Sequence, residues 1–410
     1  MTFRPLVALA FLLTAAPAFA APPSAAERTM IATVDAEQAR TLALLERAVN
    51  QNSGTRNLAG VKAVHDIFAP EFTALGFAVR WVPQDAVGRA GHLIATHKGK
   101  AGRKRLLLIG HLDTVFEPDS GFLKFERVDP DHARGPGVAD DKGGDVTMVA
   151  ALWAMQKAGT LKDANIEVVL TGDEEEAGLP LDAARDMGSV ARRSAGNWTV
   201  TVAAKSGHSS GVFSQASGDG AVYALARILT AFRAELPEPN LTFNAGLIAG
   251  GATAALGADE ARAEATGKTN IIPAAAVGRG DLRALSPDQI ARAEAKMRSI
   301  VARDYPGAKA ELKFDNKYPP MAPTAGNRAL LTRLNAVNAT LGLEQMGELD
   351  PLKRGAGDIS FVAADVDSLV GLGPASEGDH TPRETVDIPS IWKQAKRAAL
   401  LMSRLAAEKR

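Results

Sequence analysis

The stretch Arg105–Thr114, RLLLIGHLDT, decides the fold, because a short apolar run there ends directly on polar side chains. Such a run is typical of a strand that is buried on both faces of a sheet. A second run, Ile166–Leu170, ends just before Thr171–Glu176, TGDEEE. Ligands collect at the carboxyl ends of strands in an open α/β sheet. We therefore expect His111, Asp113 and the acidic cluster to meet at one edge.

Further helices and strands extend outward from these two strands. The periodicity predicts helices at Asp35–Val49, at Leu58–Leu75 with an interruption at Pro70, and at Gly143–Lys157, Asn327–Thr340 and Pro389–Ala407; it predicts strands at Phe77–Val82, His92–Thr96 and Ser368–Leu372. Alternating strands and helices indicate an α/β fold whose mixed, mostly parallel sheet is flanked by helices.

Residues 196–316 have a different pattern. The predicted strands are Asn197–Ala204, of edge type, Leu241–Ala249, Ala274–Leu285 and Ala310–Asp315, and the predicted helices are Ala216–Phe232 and Pro287–Arg303. The order β-α-β-β-α-β is that of a small two-layer α+β domain. We predict that this insert interrupts a catalytic domain formed by residues 21–195 and 317–410.

Composition excludes several classes of protein. The 410 residues include 47 Lys plus Arg, 47 Asp plus Glu and no Cys. Balanced charge argues against a nucleic-acid partner. The lack of Cys excludes disulfides, thiolate nucleophiles and Cys-ligated metals, so any metal must be held by His, Asp and Glu.

The amino terminus has the pattern of an export signal. Arg4 precedes the apolar run Leu6–Leu13, and Ala18-Phe19-Ala20 forms a small-x-small cleavage site. The alternative is a membrane anchor, but the run is shorter than the roughly 20 apolar residues that a span requires. We predict a signal peptide at 1–20, a mature chain with no membrane span, and a periplasmic or secreted location.

Four polar motifs follow predicted strands or open a helix. Besides the H-x-D at His111 and the acidic cluster, these are Gly135–Gly144, GPGVADDKGG, and the late histidine His380. Each has an ordinary explanation: a hydrogen-bonded histidine, a helix cap, a solvated charge run or a surface loop. Together, two His and several carboxylates at one sheet edge are the ligand set of a divalent ion such as zinc.

These motifs, in this order and with the inserted domain, resemble the zinc-dependent exopeptidase and deacylase family. That family includes glutamate carboxypeptidase, acetylornithine deacetylase, succinyl-diaminopimelate desuccinylase and carnosine dipeptidases, and the motif spelling is nearest the glutamate carboxypeptidase branch. The resemblance implies a zinc exopeptidase-like fold with a ferredoxin-like dimerisation or lid domain. It also implies two Zn²⁺ ions per chain, held by His111, Asp140, Glu175 and His380, with Asp140 bridging and a cis peptide between Asp140 and Asp141.

The resemblance implies further roles. Glu174 matches the general base, Asp113 the carboxylate that orients the first histidine ligand, and His208 the histidine that reaches across a homodimer to polarise the substrate carbonyl. Residues that match the pocket for the substrate carboxylate are Asn270, Arg283 and the loop that begins at Gly355; a surface ion pair is the alternative for Arg283. The implied substrate is a small peptide or an N-acyl amino acid.

One segment departs from the family pattern. The family continues after the acidic cluster with a helix and a strand that ends in the carboxylate completing the His111 zinc. Here only one helix, Leu181–Met187, is predicted before the insert, and the segment is roughly 20 residues short. Three explanations compete. Asp182 or Asp186 supplies the missing metal ligand, or the site holds one metal tightly and one loosely, or the chain carries a natural or artificial deletion that weakens its activity.

Two other functions compete with a metal-dependent hydrolase. A binding protein on the same scaffold would use the pocket without turnover, but it would not need a general base beside the metals. A serine hydrolase is disfavoured, because no G-x-S-x-G elbow follows a buried strand.

Overall fold

A computed structural model describes residues 22–177, 189–258, 260–353 and 355–410. The predicted signal peptide at 1–20 lies outside these ranges. So do the predicted helix Leu181–Met187 and the candidate ligands Asp182 and Asp186. Within the ranges, no helix combines the length and the apolar character that crossing a membrane requires.

The first part of the chain builds a helical layer and a mixed sheet. Its elements are α1 (Ala25–Ala36), α2 (Gln38–Asn50), α3 (Leu58–Ala74), β1 (Ala78–Gln84), β2 (Arg89–His97), β3 (Arg105–His111), β4 (Glu126–Arg127), β5 (His132–Arg134), α4 (Lys142–Lys157), β6 (Asn165–Thr171) and α5 (Glu174–Ala177). The strand order is β1-β2-β6-β3. The α/β class and the mixed sheet are confirmed.

The expectation that this sheet is mostly parallel is wrong for these four strands. Only β3 and β6 pair in parallel, whereas β1 with β2 and β2 with β6 are antiparallel. The reason is a tight reversal between β1 and β2, which ends at Gly88 in the left-handed region (φ 70°). An apolar run alone does not report the direction of its neighbours.

The insert forms a second sheet with its own core. Its elements are β7 (Ala195–Ala204), β8 (Gly207–His208), α6 (Ala221–Glu235), β9 (Thr242–Gly251), β10 (Thr253–Leu256), β11 (Ala263–Thr266), β12 (Ile271–Ile272), β13 (Ala275–Arg283), α7 (Pro287–Val301) and β14 (Ala308–Tyr318). The antiparallel order β14-β7-β13-β9 is ferredoxin-like. Trp198, Ile228 and Met297 are buried where α6 and α7 cover the sheet.

Strand β7 corrects one prediction. The pattern at Asn197–Ala204 predicts an edge strand, but β7 pairs with β13 on one side and β14 on the other. Its alternation reports two faces instead: Trp198, Val200 and Val202 are buried, and Thr201 faces solvent. Alternating burial distinguishes the faces of a sheet, not its edges.

The end of the chain returns to the first unit. Its elements are α8 (Ala325–Leu341), β15 (Ser376–Glu377), β16 (Thr385–Asp387) and α9 (Ile388–Ala407). β15 and β16 join β5 and β4 in a small sheet, and α9 packs against α4. The predicted strand Ser368–Leu372 is wrong. Its backbone forms only a single β-bridge, between Val370 and Ser189, because no extended strand of the described chain lies beside it.

Helix boundaries differ from the predictions at two places. α3 runs through Pro70 without interruption, since Phe68 and Phe72 on either side are both fully buried in the core. α6 begins later than Ala216 because Gly218 and Gly220 have positive φ values (68° and 82°), which no helix accommodates.

Candidate metal centre

His111 lies at the carboxyl end of β3, where the sequence places it. Its Nε2 is 3.1 Å from Asp140 Oδ1, and its Nδ1 is 3.4 Å from Asp113 Oδ1. Gly110 lets β3 lie close to the start of α4, because a Cβ there would lie 2.3 Å from Asp145 Oδ1. The His111 ring is therefore fixed by two carboxylates on its two nitrogens.

Asp113 is fully buried and connects three segments. Its Oδ2 accepts hydrogen bonds from Thr55 Oγ1 (2.8 Å) and the Glu175 N–H (3.1 Å), and its Oδ1 accepts from the Glu174 N–H (3.2 Å). A carboxylate that accepts the first N–H groups of a helix stabilises the helix start. Asp113 thus orients His111 and holds α5 in place, and the second task is not visible in the sequence.

Asp140 stands between the two histidines. Its Oδ1 faces His111 and its Oδ2 is 3.1 Å from His380 Nε2. The peptide bond Asp140–Asp141 is cis, as the resemblance implies. Glu175 Oε2 lies 3.2 Å from the same His380 nitrogen. Burial disfavours charge on His380, but its hydrogen bonds to Asp140 and Glu175 outweigh this effect and raise its pKa to about 10.

The donor atoms fit a divalent metal ion. Among the described residues, ligand atoms of His111, Asp140 and Glu175 lie within 4.8 Å of one another. Glu175 Oε2 is buried, and its contact in this cluster is with His380 Nε2 at 3.2 Å. Imidazole nitrogens and carboxylate oxygens converging at such spacing suit zinc or a similar ion. The four predicted ligands therefore come together, although they belong to segments more than 200 residues apart.

Glu384 is a residue of this site that the sequence reasoning missed. Its buried carboxylate accepts hydrogen bonds from the N–H groups of Gly137 (3.0 Å), Ala139 (3.0 Å) and Asp140 (3.2 Å). Burial raises the pKa of Glu384 to about 8, although the N–H donors oppose this shift. Glu384 follows His380 by four residues, so it ties the His380 loop to the Asp140 loop. The sequence feature that could have identified Glu384 is an acidic residue four positions after the candidate ligand His380.

Three further buried groups that can carry charge follow Asp140 in the chain: Asp141, Lys142 and Asp145. Burial raises the pKa of Asp141 to about 7 and that of Asp145 well above its usual range. Burial lowers the pKa of Lys142 to about 7, and its Nζ donates to Gln51 O at 3.0 Å. The helix α4 therefore starts inside the protein, and its first turn carries charge-bearing groups away from solvent.

Glu174 points into a cavity shared with His111 and Asp140. The side chain is 4% exposed. Burial is the main cause that raises its pKa to about 8, and Asp358 and Glu175 add to the shift. The Tyr318 hydroxyl, from the last residue of β14, donates to the Glu174 carbonyl at 3.3 Å. A buried carboxylate beside candidate metal ligands is in the position of a general base.

The predicted substrate residues do not join this cluster within one chain. His208 is exposed, and its Nδ1 accepts the Ser210 N–H (3.2 Å). Asn270 is exposed as well, and Arg283 donates to Asp281 Oδ2 (3.0 Å). The carbonyl of Gly355 accepts from Arg192 Nε (2.8 Å). Of these, none lines the described part of the cavity, whereas Gly357 and Asp358 do.

The fold and the site define a class: a metal-dependent hydrolase with a buried carboxylate beside its ligands. The chain belongs to peptidase family M20/M25/M40, whose family model matches residues 107–404. It is 25% identical over 404 residues to carboxypeptidase G2 from Pseudomonas sp. (strain RS-16), with 91% of each chain covered. The protein is a metal-dependent peptidase.

Solved structures with a similar fold include two peptidases. A tripeptidase from Staphylococcus aureus has a TM-score of 0.73 at 21% identity, covering 90% of this chain and 99% of the other. A dinuclear metal-binding peptidase of the M20 family from Bacillus subtilis has a TM-score of 0.62 at 14% identity, covering 91% and 99%. At these identities the likeness concerns the fold.

Proposed function

We propose that the protein is an exported zinc hydrolase that cleaves an amide or peptide bond next to a free carboxylate. The observation that carries the proposal is the convergence of His111, Asp140, Glu175 and His380 beside the buried Glu174. The similarity to carboxypeptidase G2 supports the carboxypeptidase branch, and dipeptides and N-acyl amino acids are the substrates to compare.

The proposed mechanism assigns the proton transfers to Glu174. A bound metal would polarise the scissile carbonyl and lower the pKa of water. Glu174 takes the proton from the attacking water and delivers it to the leaving nitrogen, so that the C–N bond breaks into an acid and an amine. Asp113 and Glu384 hold the ligand side chains in place through the hydrogen bonds described above.

A substrate panel tests this function. Dipeptides and N-acyl amino acids with free and with amidated carboxyl groups are assayed with Zn²⁺ and after chelation, for wild type and Glu174→Ala. We expect turnover of free-carboxyl substrates that needs metal and falls about 10²–10⁴-fold in Glu174→Ala. Metal-dependent binding with no turnover of any substrate would instead favour a binding protein on the same scaffold. That alternative is motivated by the short segment after Glu176, which lacks one metal-ligand strand of the family pattern.

We propose unequal metal sites. Glu175 Oε2 lies 3.2 Å from His380 Nε2, whereas the sequence after Glu176 offers no strand that ends in the further carboxylate implied for the His111 zinc. We expect one tightly and one loosely held zinc ion per chain. Metal analysis of dialysed protein that finds two tightly held ions would contradict this.

We also propose that the enzyme is a homodimer in which His208 serves the partner's site. The exposure of His208 supports this. Mixing Glu174→Ala with His208→Ala subunits should restore about a quarter of wild-type activity, since half of the dimers are mixed and each has one intact site. No restoration, with mixed dimers verified by mass, would contradict it.

Export is proposed from residues 1–20. The mature amino terminus, determined by mass spectrometry of protein from an oxidising compartment, should be Ala21. A retained Met1 in that fraction would overturn the assignment.

A further inference from the structure

The candidate general base Glu174 lies in α5, a helix of four residues (Glu174–Ala177). So short a helix does not hold itself in place, because the first turn fixes several backbone dihedrals for a single hydrogen bond. The position of α5 therefore depends on contacts with other segments. Two side chains supply such contacts at Glu174 itself, one from each of the two structural units.

Both backbone polar groups of Glu174 are hydrogen-bonded to side chains. Its N–H donates to Asp113 Oδ1 at 3.2 Å, and its carbonyl accepts from the Tyr318 hydroxyl at 3.3 Å. Asp113 follows β3 of the first unit, whereas Tyr318 is the last residue of β14 in the insert. Holding the N–H and the C=O of one residue restrains the two backbone dihedrals between them. The direction in which the Glu174 side chain leaves the backbone is thereby restrained as well.

Tyr318 lies where the chain leaves the insert. It pairs with Ala195, the first residue of β7, where the chain enters the insert. Three residues further on, Met321 and Arg192 exchange two backbone hydrogen bonds of 2.9 Å. The two connections between the units therefore run side by side, and Tyr318 belongs to the end that is continuous with the sheet of the insert.

Packing directs the Tyr318 hydroxyl at α5. Tyr318 is 2% exposed and forms a small buried cluster with Ala195 and Ala356. Phe361 packs against its ring, with the ring centroids 4.9 Å apart. A buried tyrosine hydroxyl usually has a hydrogen-bond partner, and the Glu174 carbonyl is the partner here.

We propose that Tyr318 is a positioning residue for Glu174, and that its hydroxyl fixes the general base relative to the insert. This rests on the proposed hydrolytic function. The insert also carries Asn270 and Arg283, the residues predicted for the substrate carboxylate. The Tyr318 hydroxyl therefore links the unit that is proposed to bind the substrate with the base that acts on it.

Tyr318→Phe tests the proposal, because it removes the hydroxyl and keeps the ring. For the best substrate of the panel we expect kcat to fall about tenfold and KM to change by less than about twofold. The reason is that a misplaced base raises the energy of the transition state and leaves substrate binding intact. An unchanged kcat would overturn the proposal.

Tyr305→Phe is the matched control. Tyr305 is a second buried tyrosine, and its hydroxyl donates to the Ile300 carbonyl at 2.7 Å within the insert. The substitution removes the same kind of hydrogen bond without touching α5. We expect thermal stability to fall in both variants, but kcat and KM to stay at the wild-type values in Tyr305→Phe. An equal fall of kcat in both would show a general loss of stability and would overturn the positioning role.

Hydrogen–deuterium exchange of the full-length protein gives a readout that does not depend on turnover. The amides of Glu174 and Glu175 donate to Asp113. Loss of the hydroxyl should loosen α5, so we expect these amides to exchange about fivefold faster in Tyr318→Phe. In Tyr305→Phe they should exchange at the wild-type rate.

The two readouts separate this proposal from the proposed function. A fall of kcat with unchanged exchange would show that the hydroxyl acts on the substrate directly, and it would overturn the positioning role. Faster exchange in Tyr318→Phe alone, with no turnover by the wild type, would support the positioning of Glu174 and overturn the hydrolase assignment. Unchanged exchange in both variants would overturn the proposal.

Discussion

The two sides of Asp140 differ in how completely the described chain surrounds them. On one side Asp140 Oδ2 faces His380, and Glu175 reaches the same nitrogen at 3.2 Å. On the other side Asp140 Oδ1 faces His111, whose second neighbour, Asp113, contacts the opposite ring nitrogen. Each side of Asp140 therefore has a histidine within 3.1 Å of one carboxylate oxygen. The two sides therefore share Asp140, and Glu175 contacts the histidine of one of them.

Removal of the shared ligand should have the largest effect. Asp140→Ala takes an oxygen from both sides, so we expect metal content to fall below one ion per chain and kcat/KM to fall by about 10⁴-fold. Metal analysis after dialysis and kinetics measure this. Glu174→Ala is the control, since it should lose activity while it keeps its metal. Full metal content in Asp140→Ala would show that the two sides do not share this residue.

Removal of each histidine tests the difference directly. His380→Ala should abolish the tight ion, whereas His111→Ala should keep about one tightly held ion, because Glu175 Oε2 lies 3.2 Å from His380 Nε2. Metal content across a chelator titration distinguishes the two variants. Loss of the tight ion in His111→Ala but not in His380→Ala would contradict the assignment of the tight site to the His380 side.

Glu384 should affect both sides together. Glu384→Gln weakens an acceptor of three backbone N–H groups, and we expect about 10–100-fold weaker metal affinity, measured by competition with a chromophoric chelator. The Co²⁺ absorption spectrum should also shift, because the ligand geometry changes.

Gln289→Ala controls for a purely structural effect. Gln289 is a buried side chain in the insert that accepts the Leu285 N–H and donates to Pro239 O. Its loss should destabilise the fold while metal affinity stays at the wild-type value. Equal affinity loss in both variants would remove the positioning role of Glu384.

Two glycines offer the smallest and most local perturbations. Gly110→Ala places a Cβ 2.3 Å from Asp145 Oδ1 on the His111 side, and Gly378→Ala places one 2.8 Å from Arg383 O near His380. Each should cost about 1–3 kcal/mol of unfolding free energy, measured with denaturant. We expect only Gly378→Ala to weaken the tight ion; an equal effect of both would show that the sides are mechanically coupled.

The strand ends explain why so much of the site could be predicted. His111 and the acidic cluster each follow a buried apolar run, and parallel neighbours such as β3 and β6 must end at the same edge. Glu384 could not be found this way, because its role depends on backbone N–H groups 244 to 247 residues distant. The direction of β2 and the interior position of β7 were also beyond periodicity, which records burial and not pairing.

By itself the sequence determined which side chains can hold a metal, because it lacks Cys and places its His and carboxylates after buried strands. It also determined the two-part organisation, since the change in periodicity near residue 196 is local. Only the tertiary structure decided which carboxylates meet which histidine, and that Asp113 and Glu384 tie loops together. The cavity beside β3 and Glu174 is likewise a feature of the tertiary structure alone. Hydrogen bonds between distant segments and the filling of space beside a strand depend on three-dimensional neighbours, which a linear pattern does not contain.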